Sequence, residues 1–145
     1  MIRSVLMVCE GNVCRSPLAA ALLAEGSPHL EVTSAGTAAL DGHSADPIAI
    51  DLMRERDIDV TGHIARTVNL QLLRGSDLVL AMTRAQLDWL LSRYPFARGR
   101  VYLLLHEGAG DVVDPFRKSR ACFEACLKQI ETGVAEWSER LRADC

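Results

Sequence analysis

Residues 4–25 read SVLMVCEGNVCRSPLAAALLAE, and their pattern changes along the way. The first six, Ser4 to Cys9, form an apolar run of the length expected for a buried strand. The segment from Pro17 to Glu25 predicts a helix, because proline is favoured in the first helical turn and Gly26 stands just past the end. The chain therefore opens with a strand, a loop and a helix.

The same alternation continues along the rest of the chain. Strands separated by helices of this length favour a parallel sheet with right-handed crossovers and helices on both faces. We therefore expect an α/β fold, a single three-layer domain over residues 1–145 with a four-stranded parallel sheet flanked by helices. The further strands are predicted at Leu30 to Ser34, Asp77 to Met82 and Arg100 to Leu105, and the further helices at Asp46 to Arg56, Thr83 to Tyr94 and Ser119 to Arg142.

The composition excludes several classes of protein. With 145 residues, 49% of them hydrophobic and 24% charged, the chain is long enough to bury one core and too apolar for extended disorder. Its net charge is −3, so no general basic field attracts nucleic acid or an anionic membrane. No apolar stretch reaches the roughly twenty residues that span a bilayer. We expect a cytoplasmic protein with no nucleic acid partner and no membrane insertion.

The loop after the first strand brings four anion-binding features together. Cys9 ends the strand and faces a helix N-terminus, where unpaired N–H groups and the helix dipole favour negative charge. Gly11 and Asn12 tolerate left-handed backbone conformations, which lets successive N–H groups turn toward one anion. Arg15 offers a planar fork that matches two phosphate oxygens. Ser16 can cap the helix and also offers a hydroxyl group.

These residue types predict nucleophilic phosphoryl transfer rather than nucleotide binding. The loop lacks the Gly-Lys-Ser/Thr ending of the ATP-type phosphate loop, so no magnesium ligand is implied. A thiolate at Cys9 can attack phosphorus while the loop and Arg15 hold the three equatorial oxygens. We therefore expect a phosphate-binding loop after the first strand, with no cofactor and no metal.

The five cysteines are an odd number in a chain that needs no disulfides to hold its core, which favours a reducing compartment. Cys122 and Cys126 are four residues apart and share one helix face. A zinc site built from them with Cys9 and Cys14 would occupy the nucleophile, so zinc is not expected. Cys145 is expected in an exposed tail.

The segment from Val8 to Pro17 resembles the signature of the low-molecular-weight protein tyrosine phosphatases, and the likeness runs through nearly the whole chain. It is greatest to the bacterial branch associated with exopolysaccharide export. The resemblance implies that Cys9 is the nucleophile, Arg15 binds phosphate and Asp114 is the general acid. Three further motifs follow in the order and approximate spacing of the family: Ser34-Ala35-Gly36-Thr37, Gly62-His63-x-Ala65-Arg66 and Asp114-Pro115.

The resemblance also assigns the residues around the substrate. The family usually has tyrosine where this chain has Phe116, so an aromatic wall is retained while a hydroxyl group, and regulation by its phosphorylation, is lost. Leu40 stands where the eukaryotic branch commonly has a bulky aromatic residue. The expected substrate-binding residues are Glu10, Gly11, Asn12, Val13, Cys14, Ser16, Leu40 and Phe116.

Supporting roles follow from the same resemblance. It implies that Cys14 forms a disulfide with Cys9 that shields the nucleophile from over-oxidation, while a small buried residue is the equally open alternative for Cys14. It also implies that Asn12 is held in a strained conformation by hydrogen bonds. The residues that would hold it are Ser16, Ser34 and His63.

Two aspartates near the C-terminal third of the chain, Asp111 and Asp114, are candidates for the general acid. After the thiolate attacks, the departing phenolate needs a proton, and one carboxyl group can supply it and later take a proton from water. Asp114 is the better candidate because Pro115 stiffens its loop, whereas Asp111 lies among glycines. Asp111 remains the alternative acid.

Two other function classes share parts of this pattern. Arsenate reductases use the same loop, but they carry a pair of relay cysteines after the third strand, and residues 81–86 contain none. A non-catalytic anion-binding module would require neither Cys9 nor Asp114.

The resemblance implies a phosphotyrosine-containing protein as partner, such as a bacterial tyrosine kinase or a related exopolysaccharide-export protein. A monomer is expected. For Trp89, Tyr94 and Phe96 two locations stay open, the core and a contact surface between proteins.

Overall fold

The computed structural model describes residues 1–105 and 109–142. Strands and helices alternate along them. The strands are β1 (Ser4–Cys9), β2 (Glu31–Gly36), β3 (Leu78–Ala81) and β4 (Val101–Leu103). The helices are α1 (Arg15–Gly26), α2 (Pro47–Arg54), α3 (Leu70–Gly75), α4 (Arg84–Arg93) and α5 (Arg120–Arg140), with a 3₁₀ turn at Pro95–Ala97.

The four strands form one parallel sheet in the order β2-β1-β3-β4, which confirms the predicted sheet. β1 lies inside the sheet, where Val8 pairs with Ala35 of β2 and with Ala81 of β3. Because all strands run in one direction, their carboxyl ends meet at one edge. Cys9, the last residue of β1, therefore lies at that edge between two neighbouring strands.

Different helices cover the two faces of the sheet. Successive residues of a strand point to opposite faces. Val5 and Met7 accordingly pack with residues of α1, α2 and α5, whereas Leu6 and Val8 pack with residues of α3 and α4. All four side chains are almost fully buried, which is why β1 is a continuous apolar run. The predicted α/β fold with helices on both faces is confirmed.

Some predicted boundaries differ from the structure. The first helix begins at Arg15 rather than Pro17, and the strand predicted at Leu30 to Ser34 is shifted to Glu31–Gly36. α3 was not predicted, because six residues are too few to show helical periodicity. The predicted tail at Cys145 lies outside the described residues. No helix in the described part of the chain is both long and apolar enough to cross a membrane.

Candidate active site

The loop between β1 and α1 leaves the start of α1 open. Cys14 occupies the position before the helix, and its side chain forms no capping hydrogen bond. The starts of α2 and α4 differ, because the side chains of Asp46 and Thr83 cap them. Helix N–H groups without a side-chain cap, together with the positive end of the helix dipole, favour an anion at the start of α1.

Cys9 lies at the floor of this loop, with only 2% of its surface exposed. The Asn12 N–H donates to Cys9 Sγ at 3.2 Å, and Ser16 Oγ lies 2.9 Å from the same sulfur. Because Ser16 Oγ already accepts a hydrogen bond from Asn12 Nδ2 at 2.8 Å, its own hydrogen is available to Cys9. Two donors therefore converge on the sulfur, an arrangement that stabilises a thiolate.

Asn12 shapes the loop through its backbone and its amide. Its φ of 59° lies in the left-handed region, which a non-glycine residue adopts only when its surroundings hold it there. The amide Nδ2 donates to Ser16 and to Ser34 Oγ at 3.0 Å, while Oδ1 accepts from the Arg66 N–H at 3.0 Å. His63 Nε2 lies 2.6 Å from the Asn12 carbonyl oxygen. The three expected contacts are present, and Arg66 adds one that the sequence analysis missed.

The segment after β2 supports the loop from another side. Gly36 ends β2, and a side chain at this position would collide with the Glu10 carbonyl oxygen, so only glycine fits here. Beyond it the two segments are joined by backbone hydrogen bonds of 2.9 to 3.0 Å. Their donors are the N–H groups of Thr37, Ala38 and Leu40, and their acceptors are the carbonyls of Cys9, Glu10 and Gly11.

Arg15 and Asp114 meet beside the loop. Arg15 is the first residue of α1 and is buried, and its Nη1 donates to the Val112 carbonyl at 3.2 Å. Its Nη2 lies 3.6 Å from Oδ2 of Asp114, whose side chain is 51% exposed. The other carboxylate oxygen of Asp114 accepts from the Phe116 N–H at 3.1 Å, which fixes the carboxyl group within its turn. The fold thus joins two residues that are distant in sequence.

A glutamine on α5 holds the segment that carries Asp114. Gln129 Oε1 accepts from the Val113 N–H at 2.8 Å, and its Nε2 donates to the Asp111 carbonyl at 3.4 Å. These bonds bracket Val112, the residue whose carbonyl binds Arg15. Gln129 could not be identified from the sequence, because no local pattern marks a polar helix residue whose contacts lie 16 and 18 positions away.

Asp111, the alternative acid, is engaged elsewhere. Its Oδ1 accepts from the Arg84 N–H at 2.9 Å, at the start of α4. It does not line the cavity beside the loop, whereas Asp114 does. Of the two candidate acids, the structure therefore brings only Asp114 to the cavity and to Arg15.

A cavity of about 80 Å³ opens beside the loop. Leu40 and Phe116 contribute apolar walls to it. Cys9, Asn12 and Ser16 are buried and are not among the residues that line it; Asn12 and Ser16 contact the Cys9 sulfur instead. The lining residues are Glu10, Gly11, Val13, Cys14, Arg15, Ala38, Leu40, Asp114 and Phe116.

Two further buried thiols lie in the same core cluster as Cys9. Burial raises the pKa of Cys14 far above its usual range, and the nearby Asp46 carboxylate raises it further. Burial also raises the pKa of Cys126 to about 12, against the opposing effect of the Arg15 charge. Both thiols stay protonated near neutral pH and are poor metal ligands in that form. Within residues 1–105 and 109–142, no group of three or more His, Cys, Asp or Glu side chains could hold a metal ion.

Timed alkylation at pH 8 tests the state of these thiols. A thiol with a pKa of about 12 is only ~10⁻⁴ thiolate at that pH, so we expect iodoacetamide to label Cys14 and Cys126 at least about 100-fold more slowly than the half-exposed Cys122. Peptide mass mapping measures each rate, and unfolded protein, in which all the thiols should react, is the control. Native labelling of Cys126 at the rate of Cys122 would contradict this description.

Comparison with known proteins agrees with the fold. A sequence model described as "Low molecular weight phosphotyrosine protein phosphatase" matches residues 4–145. The probable low molecular weight protein-tyrosine-phosphatase EpsP of Ralstonia nicotianae is 42% identical over 143 residues, covering 99% of each chain. The tyrosine phosphatase Wzb from Escherichia coli K30, crystallised with sulphate, has a TM-score of 0.93 at 33% identity, covering 98% of this chain and 100% of that one.

An arginine phosphatase shares the same architecture. YwlE from Geobacillus stearothermophilus has a TM-score of 0.90 at 33% identity, covering 96% of this chain and 92% of that one. The fold alone therefore does not separate phosphate esters of tyrosine from phosphoarginine. The match of the family model over nearly the full chain, together with 42% identity to EpsP, does settle the family. The chain belongs to the low molecular weight phosphotyrosine protein phosphatase family.

Proposed function

We propose that this protein hydrolyses phosphotyrosine in proteins through a phosphocysteine intermediate on Cys9. One observation carries the proposal: Cys9 Sγ contacts the Asn12 N–H and Ser16 Oγ at the uncapped start of α1, the helix whose first residue, Arg15, pairs with Asp114 at 3.6 Å. The loop and the start of α1 provide a positive electrostatic potential, the Cys9 sulfur is the nucleophile, and the Asp114 carboxyl group is the proton donor.

The first step transfers the phosphoryl group to sulfur. Cys9 attacks phosphorus as the thiolate, so an S–P bond forms while the bond to the phenolic oxygen breaks and its electron pair leaves with that oxygen. Asp114 gives the leaving phenolate a proton. Arg15 is held at Nη1 by Val112, and its other N–H groups bind the equatorial phosphate oxygens together with the loop N–H groups.

The second step releases phosphate. Asp114, now a carboxylate, takes a proton from the attacking water, the P–O bond to water forms, and the S–P bond breaks. The leaving thiolate of Cys9 again accepts hydrogen bonds from the Asn12 N–H and from Ser16. Since Asn12 and Ser16 are buried, we assign them to stabilising the sulfur, whereas the cavity residues bind the substrate.

The substrate ring is placed by the apolar walls. Leu40 and Phe116 line the cavity next to Asp114, and an aromatic side chain suits a phenyl ring. The arrangement supports phosphotyrosine as the substrate, because Leu40 and Phe116 offer the phenyl ring an apolar surface. Glu10, Gly11, Val13 and Cys14 complete the proposed binding surface.

The cellular setting follows from the sequence and from the relatives. We propose a tyrosine-phosphorylated protein as the substrate, and a bacterial tyrosine kinase or a related exopolysaccharide-export protein as its source. The family model covers residues 4–145, which supports one catalytic domain over the chain 1–145. The odd number of cysteines supports a reducing, cytoplasmic location. No cofactor takes part.

Metal-free turnover tests this function. In buffer with excess EDTA, purified protein should hydrolyse p-nitrophenyl phosphate and a phosphotyrosine peptide at undiminished rates, and vanadate should inhibit both. A phosphoarginine peptide is the matched competitor substrate. Loss of activity on chelation, or a kcat/KM at least tenfold higher for the phosphoarginine peptide, would contradict the proposal.

A further inference from the structure

Three aromatic rings and three arginines form a patch at the other end of the sheet from Cys9. The rings follow one another across the surface: Trp89 and Tyr94 have centroids 6.4 Å apart, Tyr94 and Phe96 6.3 Å apart, both edge to face. Phe96 is 44% exposed although it is large and apolar. We name this set the arginine–aromatic patch; its members are Arg74, Trp89, Arg93, Tyr94, Phe96 and Arg100.

The guanidinium groups are held in place by the rings. Arg93 lies 5.1 Å from the centroid of Trp89, and Arg74 and Arg100 lie 5.7 and 5.4 Å from the centroid of Phe96. Cation–π contacts of this kind orient an arginine without neutralising it. None of the three forms an ion pair with any carboxylate in residues 1–105 and 109–142. The patch is therefore a local concentration of positive charge in a chain of net charge −3.

The acidic residues that stand near the patch in the sequence, Asp77 and Asp88, bind other partners. Asp77, which lies near the start of β3, uses Oδ2 to accept from the backbone N–H groups of Arg3 and Ser4 at 2.8 and 3.1 Å. Asp88 precedes Trp89 but pairs with Arg84 at 3.3 Å. The patch therefore offers fixed arginine donors and an exposed ring, a combination enriched in protein–protein contact surfaces.

We propose that the arginine–aromatic patch docks an acidic segment of the substrate protein, whose phosphotyrosine enters the cavity beside the loop between β1 and α1. This inference rests on the proposed function and names the feature by which a substrate is selected. Charge complementarity supports the proposal. This chain has a net charge of −3, and at the patch the carboxylates of an acidic peptide would meet oriented guanidinium groups. A second copy of this chain is a poor candidate for the occupant of the patch, because a symmetric contact would bring the arginines of both copies together.

The geometry allows one extended chain to reach both sites. Arg74 precedes β3 and Arg100 precedes β4, so the patch lies at the amino ends of the strands and the cavity at their carboxyl ends. A strand of the length of β1 spans ~20 Å, which an extended peptide covers in roughly six residues and, following the surface, in about eight to ten. Binding at the patch would raise the local concentration of phosphotyrosine at the cavity and lower KM without changing kcat.

Paired peptides test this docking. In each pair, one phosphotyrosine peptide carries a run of glutamates about eight residues from the phosphotyrosine, and the other carries glutamines at the same positions. One pair has the run on the N-terminal side of the phosphotyrosine, and a second pair has it on the C-terminal side. For at least one side, we expect the acidic peptide to have a KM about five- to tenfold lower at equal kcat, and 0.5 M salt to remove the difference. Equal KM values for the acidic and neutral peptides on both sides would overturn the inference.

Matched double variants locate the effect. Arg74→Gln/Arg93→Gln should abolish the acidic preference, whereas Arg54→Gln/Lys128→Gln, which removes the same charge from exposed positions elsewhere, should retain it. Both variants should hydrolyse p-nitrophenyl phosphate like the wild type. Loss of the preference in both variants, or in neither, would overturn the inference. If the wild type does not hydrolyse aryl phosphate at all, the proposed function itself fails.

Other occupants give distinguishable results. Binding of a polyuridine RNA or of anionic phospholipid vesicles at 0.15 M salt, tighter than that of the acidic peptide and lost in Arg74→Gln/Arg93→Gln, would overturn the assignment to a peptide. So would a dimer, detected by light scattering, that the same variant dissociates. Weaker binding of these probes than of the acidic peptide supports it.

Discussion

Replacing Cys9 with serine should lower kcat for p-nitrophenyl phosphate by at least about 10⁴-fold, since removing a covalent nucleophile has effects of this size. A serine hydroxyl fits the buried site and keeps the hydrogen bonds with Asn12 and Ser16, but it does not ionise near neutral pH. The variant should therefore still bind phosphate or vanadate. Steady-state kinetics and equilibrium binding measure the two effects separately.

Cys122→Ser is the matched control for that substitution. Cys122 is a half-buried thiol on α5 that contacts Ser119 and does not line the cavity. Its replacement should leave kcat within about twofold, as expected for a surface change away from the site. Retention of substantial activity by Cys9→Ser, with a folded protein by circular dichroism, would rule out Cys9 as the nucleophile.

Asp114→Asn should slow the enzyme according to the leaving group. A poorly leaving phenol needs protonation, so kcat for phenyl phosphate should fall by about 10²- to 10³-fold, whereas kcat for the activated p-nitrophenyl ester should fall by less than about tenfold. Asparagine retains an acceptor for the Phe116 N–H, so the turn should persist. Measuring kcat across a series of substituted phenyl phosphates gives the slope against phenol pKa.

Asp111→Asn provides the comparison for the acid. Its Oδ1 accepts from the Arg84 N–H, and an asparagine can accept the same bond. The dependence on the leaving group should stay as in the wild type. If Asp111→Asn steepened that dependence and Asp114→Asn did not, the assignment of the acid would be wrong.

Local features of the sequence were sufficient to predict the anion loop. Cys9, Gly11, Asn12, Arg15 and Ser16 lie within eight consecutive residues, and their positions follow directly from a strand that ends where a helix begins. The alternation of apolar runs and helical segments was likewise sufficient for a parallel sheet. The loop can be predicted from a short-range pattern because it lies on one connection, between β1 and α1.

Contacts between distant segments could not be predicted in this way. The bonds of Gln129 to Asp111 and Val113 depend on how α5 docks against the loop, which periodicity does not specify. The sequence favoured Asp114 over Asp111 through Pro115, the glycines around Asp111 and the family resemblance. The structure adds what these could not give: Asp114 pairs with Arg15, whereas Asp111 accepts from the Arg84 N–H at the start of α4. Similarly, only the packed structure shows that Trp89 and Phe96 form a surface row with arginines.

The most direct test of the central claim is to trap the phosphoryl group. In a rapid acid quench of a single turnover with a phosphotyrosine peptide, mass spectrometry of the proteolysed enzyme should find one phosphoryl group on the peptide that contains Cys9, rising before phosphate appears in solution. The Asp114→Asn variant should accumulate more of it if its second step is slowed further than its first. Release of phosphate in step with tyrosine, with no phosphorylated Cys9 at any time, would contradict this mechanism.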